Sequence, residues 1–111
     1  MAKRRHLSSL ELMVLLAVMR AGRDASGIPI SREVAAAGER EVPLGSIYTA
    51  LSRLEENGLV SSELGEPTPE RGGRSKAIFR LTSRGLREVR DTQAAFVRLW
   101  SGLPDLQGRR T

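Results

Sequence analysis

The chain has 111 residues, with 18 lysines and arginines against 13 acidic residues, a formal net charge of +5 and a pI near 10.9. This length predicts one domain with a small core, and the basic charge suits a polyanionic partner. Cysteine is absent, which excludes disulfides and thiolate chemistry. The single histidine, His6, has no second ligand near it in sequence, and no catalytic or nucleotide-binding motif occurs. We therefore expect no enzyme activity, no cofactor and no metal.

Both ends of the chain carry basic runs, Lys3-Arg4-Arg5 and Arg109-Arg110. Each run is either an arm that touches phosphates or a solvated end. The first residues lack the apolar stretch of a secretory signal, so we expect a cytoplasmic protein without membrane association.

The first predicted helix opens with a capping box at residues 8–11, runs to about Arg20 and ends at Gly22. Almost every position of residues 10–19 is apolar, so no single stripe faces the core. A short helix of this kind must be covered on two sides, one of which we assign to a second subunit. Leu12 and Leu16 are accordingly placed in a dimer interface.

A second helix is predicted from Ser31, as N-cap, to Gly38, followed by a turn at residues 39–44. Two helices joined in this way form a helix-turn-helix when the second has a polar outer face. Ser31 and Arg32, at the amino end of the first of the two, are candidate phosphate contacts.

Residues 45–60 carry the pattern that indicates function most directly. Four apolar positions fall within one arc of roughly 100°: Ile47, Ala50, Leu51 and Leu54. The opposite face carries Thr49, Ser52 and Arg53, where short hydroxyls permit close approach and arginine can bond guanine or phosphate. We interpret this segment as a helix that enters a DNA groove; an ordinary surface helix is the alternative.

Residues 57–81 have the pattern of a winged helix. Asn57-Gly58 is a helix C-cap signal, residues 59–64 read as a strand, and a Gly- and Pro-rich loop precedes a returning strand at residues 76–81. Ala77, Phe79 and Leu81 share one face of that strand. The loop is the wing, and Arg71, Arg74 and Lys76 are its candidate contacts with phosphates or the minor groove.

The last predicted helix starts at Thr82, whose hydroxyl can cap it. Six of its positions follow one another at alternating spacings of three and four residues, as in a short heptad pattern, and we call this set the seam: Leu86, Val89, Gln93, Phe96, Trp100 and Leu103. We assign this seam to a dimer interface; packing on its own domain is the alternative. Phe96 and Trp100 either fill that interface or form a slot for a planar apolar ligand.

Together these motifs resemble the PadR-like transcriptional regulators. The resemblance rests on Gly-Ser-Ile-Tyr…Leu-Ser-Arg-Leu-Glu-Glu-Asn-Gly-Leu-Val, the Gly-Gly-Arg-Ser-Lys of the wing and Phe-Arg-Leu-Thr-Ser-Arg-Gly, and it covers about residues 10–100. It implies a bacterial, homodimeric winged-helix repressor in which Tyr48 contacts the DNA backbone and the helix after Thr82 dimerises.

Two segments depart from the family pattern. Ser-Gly-Ile-Pro-Ile stands where many members have His-Gly-Tyr-x-Ile. Pro43 stands near the position where many members cap the recognition helix with a serine, so we expect Ser46 to take part in capping.

The predicted fold class is mainly α with a small β-hairpin: a winged helix-turn-helix core at residues 8–82 and a dimerisation helix at 83–104. The predicted function is sequence-specific binding of double-stranded DNA at an inverted repeat, as a homodimeric repressor; where Phe96 and Trp100 form a slot, a small molecule at the dimer interface would relieve repression. Ser46, Thr49, Ser52 and Arg53 are the candidate base contacts. A winged-helix module that docks on proteins or binds RNA is the alternative, which the basic wing and the lack of exposed stacking aromatics disfavour.

Overall fold

The computed structural model describes residues 7–65 and 76–104. Over these ranges the elements are α1 (Ser9–Ala21), a 3-10 turn (Gly22–Asp24), α2 (Gly27–Gly38), α3 (Leu44–Glu56), β1 (Val60–Leu64), β2 (Ala77–Leu81) and α4 (Ser83–Trp100). The predicted fold class, mainly α with a small β-hairpin, is confirmed. Within the described ranges, no helix is long and apolar enough to cross a membrane. Arg71, Arg74, His6 and both basic runs lie outside the described residues.

Helix α1 begins and ends as predicted. The Ser8 Oγ accepts the Glu11 N–H at 3.0 Å, and a Glu11 carboxylate oxygen accepts the Ser8 N–H at 2.9 Å, which completes the capping box. Gly22 closes the helix at a φ of 60°. Val14 and Leu15 are fully buried, whereas Leu16 is exposed. One side of α1 thus faces the core of its own domain and another side does not.

The prediction for the start of α2 was wrong. The helix begins at Gly27 with Ser26 as N-cap, so Ser31 lies inside the helix, where its hydroxyl donates to the Ile28 carbonyl at 3.0 Å. Pro29 lies in the first turn of the helix. In the first turn of a helix the missing N–H of proline costs nothing, because that N–H would have no partner in the helix.

The core lies between α1, α2, α3 and the hairpin. Its largest fully buried side chains come from all three helices and β1: Val14, Leu15, Ile30, Val34, Ile47, Leu51, Leu54 and Val60. The four apolar positions of α3 are buried as their spacing predicted. Each of these side chains contributes about 1.5–3 kcal/mol by leaving water. This shared burial fixes which face of α3 remains available to a partner.

Helix α3 ends in a Schellman motif. The Gly58 N–H bonds to the Glu55 carbonyl at 3.0 Å, the Leu59 N–H bonds to the Leu54 carbonyl at 2.9 Å, and Gly58 has a φ of 76°. Only glycine adopts this left-handed conformation without a steric cost. The predicted C-cap is confirmed, and the chain turns directly from α3 into the hairpin.

The hairpin is antiparallel, with a register that pairs Val60 with Leu81 and Leu64 with Ala77. Its second strand is also tied to the segment between α1 and α2. The Phe79 N–H donates to the Ala25 carbonyl at 2.8 Å, and Arg80 Nη1 donates to the Gly22 carbonyl at 3.0 Å. The base of the wing is therefore anchored on the helical core.

Helix α4 starts at the predicted cap, since Thr82 Oγ1 accepts the Gly85 N–H at 3.0 Å. Two positions of the predicted seam lie elsewhere. Val89 is buried, because the first turns of α4 pack on the core of the domain. Leu103 lies beyond the helix, which ends at Trp100 before a turn in which Gly102 has a φ of 85°. Spacing alone does not separate residues packed on their own domain from residues that could face a second chain.

Two helical glycines form a matched pair for a stability test. A Cβ at Gly38 would lie 3.6 Å from Met13 Cε, an ordinary contact, whereas a Cβ at Gly85 would overlap the Leu59 carbonyl oxygen. We expect Gly38→Ala to stabilise the fold by about 0.5–1 kcal/mol, because alanine loses less backbone entropy in a helix. Gly85→Ala should destabilise it by about 1–3 kcal/mol through overpacking. Urea unfolding at one fixed protein concentration measures both. Shifts of the same sign would show that α4 does not approach Leu59 this closely.

Candidate nucleic-acid interface

The outward face of α3 presents small and hydroxyl-bearing side chains. Gly45, Thr49, Ser52 and Arg53 are all exposed, on the side opposite the buried positions of the same helix. Short side chains leave the helix backbone free to approach a partner closely, and the arginine supplies a planar set of donors. The face thus has the dimensions and the chemistry that a DNA groove requires.

Charge is distributed unevenly along α3. No acidic residue occurs from Leu44 to Arg53, whereas Glu55 and Glu56 occupy the last turn. The Glu55 carboxylate accepts a hydrogen bond from the Ser62 hydroxyl at 2.8 Å, which directs it toward β1. The amino end of a helix also carries the positive end of the helix dipole. The stretch from Leu44 to Arg53 is therefore the part of α3 that suits a polyanion.

One flank of α3 packs on the start of α2 through Tyr48. A Cβ added to Gly27 would overlap the Tyr48 hydroxyl and ring, so the tyrosine lies directly against this glycine. Tyr48 nevertheless remains 42% exposed. The contact holds the phenol at the rim of the outward face, between the amino ends of two helices, where it can donate to a phosphate.

The opposite flank of α3 borders a groove beside the amino end of α1. Helix α3 begins with Pro43 as N-cap, and the Ser46 N–H bonds to the Pro43 carbonyl at 2.9 Å. Among the described residues no side-chain bond caps this end, so the expected capping by Ser46 was wrong. The groove is lined by residues of both helices and the turn before α3: Ser8, Leu10, Glu11, Pro43, Gly45, Ser46, Thr49, Ala50 and Arg53.

The remaining predicted DNA contacts lie around this face. Arg32 is exposed on α2, one helical turn beyond Ile28, so it borders the Tyr48 flank although it does not mark the start of the helix. Ser31 is half-buried, and its hydroxyl already bonds within α2. Lys76 is half-buried at the base of the wing, where its carbonyl accepts the Gly65 N–H at 2.7 Å.

The residues predicted for dimerisation separate into two groups. Leu12 and Leu86 are half-buried and Leu16 is exposed on α1 and α4, two helices that are in contact, while Val89 belongs to the core. Gln93, Phe96 and Trp100 are exposed on the distal half of α4. The two rings are in contact, with centroids 6.5 Å apart and planes tilted by 58°. Val97 and Leu99 are also exposed there, although the heptad spacing did not select them.

Sequence reasoning missed three residues of this region: Gly27, Ile28 and Leu44. Gly27 provides the space for Tyr48, and the two aliphatic side chains stay exposed beside it. The available signal was the segment Ser26-Gly27-Ile28, which departs from the family pattern at its first and third residues. Its placement in a loop before the helix concealed that it packs on α3.

The arrangement of three helices, a connecting turn and an antiparallel hairpin defines a winged helix-turn-helix protein. The chain matches the transcriptional regulator PadR-like family over residues 15–91. The protein belongs to this family and is accordingly a DNA-binding transcriptional regulator. No curated protein sequence matches the chain.

Solved structures share the whole fold at low sequence identity. A PadR-like transcriptional regulator from Bacillus cereus is 20% identical, with 91% of this chain and 93% of that chain covered and a TM-score of 0.70. A transcriptional regulator from Clostridium thermocellum is 20% identical, with 94% and 100% covered and a TM-score of 0.67. A PadR family regulator from Eggerthella lenta is 25% identical, with 88% and 83% covered and a TM-score of 0.65.

The contact between Gly27 and Tyr48 yields a prediction for DNA affinity. Gly27→Ala should displace the tyrosine ring and weaken binding of duplex DNA as much as Tyr48→Phe does, about ten-fold or more, since a hydrogen bond to a charged group contributes about 1.5–3 kcal/mol. Fluorescence anisotropy with random duplex DNA measures the affinities. Gly38→Ala, at the other end of α2, is the matched control and should bind as the wild type. Full affinity in Gly27→Ala would show that the position of the ring does not matter.

Proposed function

We propose that the protein is a homodimeric repressor that binds an inverted repeat in double-stranded DNA, with the outward face of α3 in the major groove. The observation that carries the proposal is the outward face of α3 from Leu44 to Arg53, which combines Gly45, Thr49, Ser52 and Arg53 and contains no carboxylate. Helix-turn-helix proteins read bases with the same part of their second helix. Repression then follows from occupation of the operator.

The roles of the side chains follow from their positions. Arg53 is the residue for bidentate recognition of guanine, while Ser46, Thr49 and Ser52 offer shorter contacts to base edges. Tyr48 and Arg32 border the face and suit phosphates. Lys76, with Arg71 and Arg74 of the wing, supplies sequence-independent attraction to the backbone or the minor groove.

Dimerisation is supported by the apolar surface of the distal half of α4. Five large apolar side chains are exposed there or just beyond the helix: Phe96, Val97, Leu99, Trp100 and Leu103. Together with Leu16 of α1 they form more apolar surface than a small monomer usually leaves in water. A two-fold contact through α4 would cover it. The finer part of the proposal is that a planar apolar effector relieves repression by binding beside Phe96 and Trp100 in this interface.

Selection of bound fragments from a pool of random duplex DNA tests the proposal. We expect an inverted repeat whose half-site centres lie about 10 bp apart, because two-fold symmetry in the protein imposes two-fold symmetry on the site. A direct repeat, or no enriched motif, would contradict sequence-specific binding by a two-fold dimer.

Two variants then separate base recognition from backbone attraction. Arg53→Ala should cost about 1–3 kcal/mol per half-site on the selected operator and much less on random DNA. Lys76→Ala is the matched control: it should weaken both DNAs alike and lower the salt dependence by about one unit per lost phosphate contact. Equal losses on both DNAs in Arg53→Ala would make Arg53 a phosphate contact instead.

A further inference from the structure

Three large apolar side chains are exposed together at the amino ends of α2 and α3. Ile28 is 45% exposed, Leu44 is 40% exposed and Tyr48 is 42% exposed. We call this group the apolar flank. None of the three belongs to the proposed dimer surface, which consists of residues of α1 and α4. Exposed apolar patches often mark interaction sites. Because this patch lies beside a face suited to a polyanion, we expect the same partner to present apolar groups as well.

Geometry brings the three side chains of the apolar flank together. Leu44 and Tyr48 are four residues apart in α3, so they lie one above the other on the same side of the helix. Tyr48 packs on Gly27, and Ile28 is the next residue of α2. The residues of the apolar flank thus lie in the first turns of α3 and α2, which meet at the contact between Tyr48 and Gly27.

The apolar flank adjoins the outward face of α3. Viewed down the helix axis, Leu44 and Tyr48 lie between the buried side and Gly45 and Ser52, at 100° per residue. Leu44 is also the first residue of α3, and the amino end of a recognition helix is the part that contacts base edges. In the proposed docking, Leu44 therefore contacts the base edges of the major groove. An apolar side chain would gain nothing from a contact with a phosphate.

The major groove presents one apolar group, the 5-methyl of thymine. We propose that the apolar flank, through Leu44, reads thymine methyl groups at the edge of each half-site. This inference rests on the proposed function and adds a specificity-determining residue to it. Tyr48 and Ile28 form the apolar wall beside Leu44, while the Tyr48 hydroxyl remains directed to the backbone. Arg53 and the flank thus select different bases, one through hydrogen bonds and the other through a methyl contact.

Replacement of single thymines by uracil tests the inference, since uracil differs from thymine only by the missing methyl. The probe is the operator obtained from the random duplex pool, resynthesised with uracil at one thymine at a time. At one or more thymines of each half-site, uracil should weaken binding of the wild-type protein roughly four-fold, which corresponds to ~0.8 kcal/mol for one buried methyl group. Leu44→Ala should bind the thymine and uracil operators equally.

Two further variants control for indirect effects. Leu44→Met keeps an apolar side chain of similar volume and should retain the preference for thymine. Leu64→Ala removes another leucine, which is 75% exposed on β1, and should retain it as well. Leu44 lies outside the buried core, so Leu44→Ala should remain folded and unfold at a urea concentration close to that of the wild type.

The outcomes distinguish this inference from the function on which it rests. Equal affinity of the wild type for every uracil operator, a uracil penalty that persists in Leu44→Ala, or half-sites without thymine would overturn the inference and leave sequence-specific DNA binding intact. Failure to enrich any operator would overturn the proposed function itself, and the role of Leu44 with it.

Discussion

The structure depends on one junction, where the end of α3 meets the start of α4. The Leu59 carbonyl accepts the Thr82 N–H at 3.0 Å, and the Gly58 carbonyl accepts the Thr82 hydroxyl at 2.6 Å. The Leu59 carbonyl also occupies the space that a Cβ of Gly85 would need. Two hydrogen bonds and one close backbone approach therefore join the segment between α3 and β1 to the segment that leads from β2 into α4. Such contacts leave little freedom for rotation of one helix against the other, because any rotation would break hydrogen bonds or create an overlap.

In the proposed dimer, this junction would fix the distance between the two α3 helices. If two chains associate through α4, the distance between their two recognition helices is set by the angle between α3 and α4 within each chain. A fixed distance restricts binding to half-sites of one spacing, which is a form of specificity separate from base contacts. The same coupling would provide a route for the proposed effector beside Phe96 and Trp100, because a small change in how the two α4 helices pack would move both α3 helices relative to the DNA.

Local signals in the sequence predicted the elements, and contacts between elements explain the errors. The box at Ser8, the glycine at position 58 and the cap at Thr82 each act within a few residues, so the sequence was sufficient to place them. The heptad spacing of α4 was not sufficient, because a side chain such as Val89 follows the same period whether it packs on its own core or on a second chain. The contact between Gly27 and Tyr48 joins residues 21 positions apart, and no local pattern predicts it.

The distance between recognition helices in solution tests the central claim most directly. The chain contains no cysteine, so Ser52→Cys provides a single site for a spin label on the exposed face of α3. Pulsed electron paramagnetic resonance of the labelled protein without DNA should give one narrow distance distribution. After correction for the length of the label arms, its centre should lie near 35 Å, about one turn of the DNA helix. A broad distribution would show that the junction does not hold α3 rigidly on α4, and an absence of dipolar coupling would show that the two helices are not paired at all.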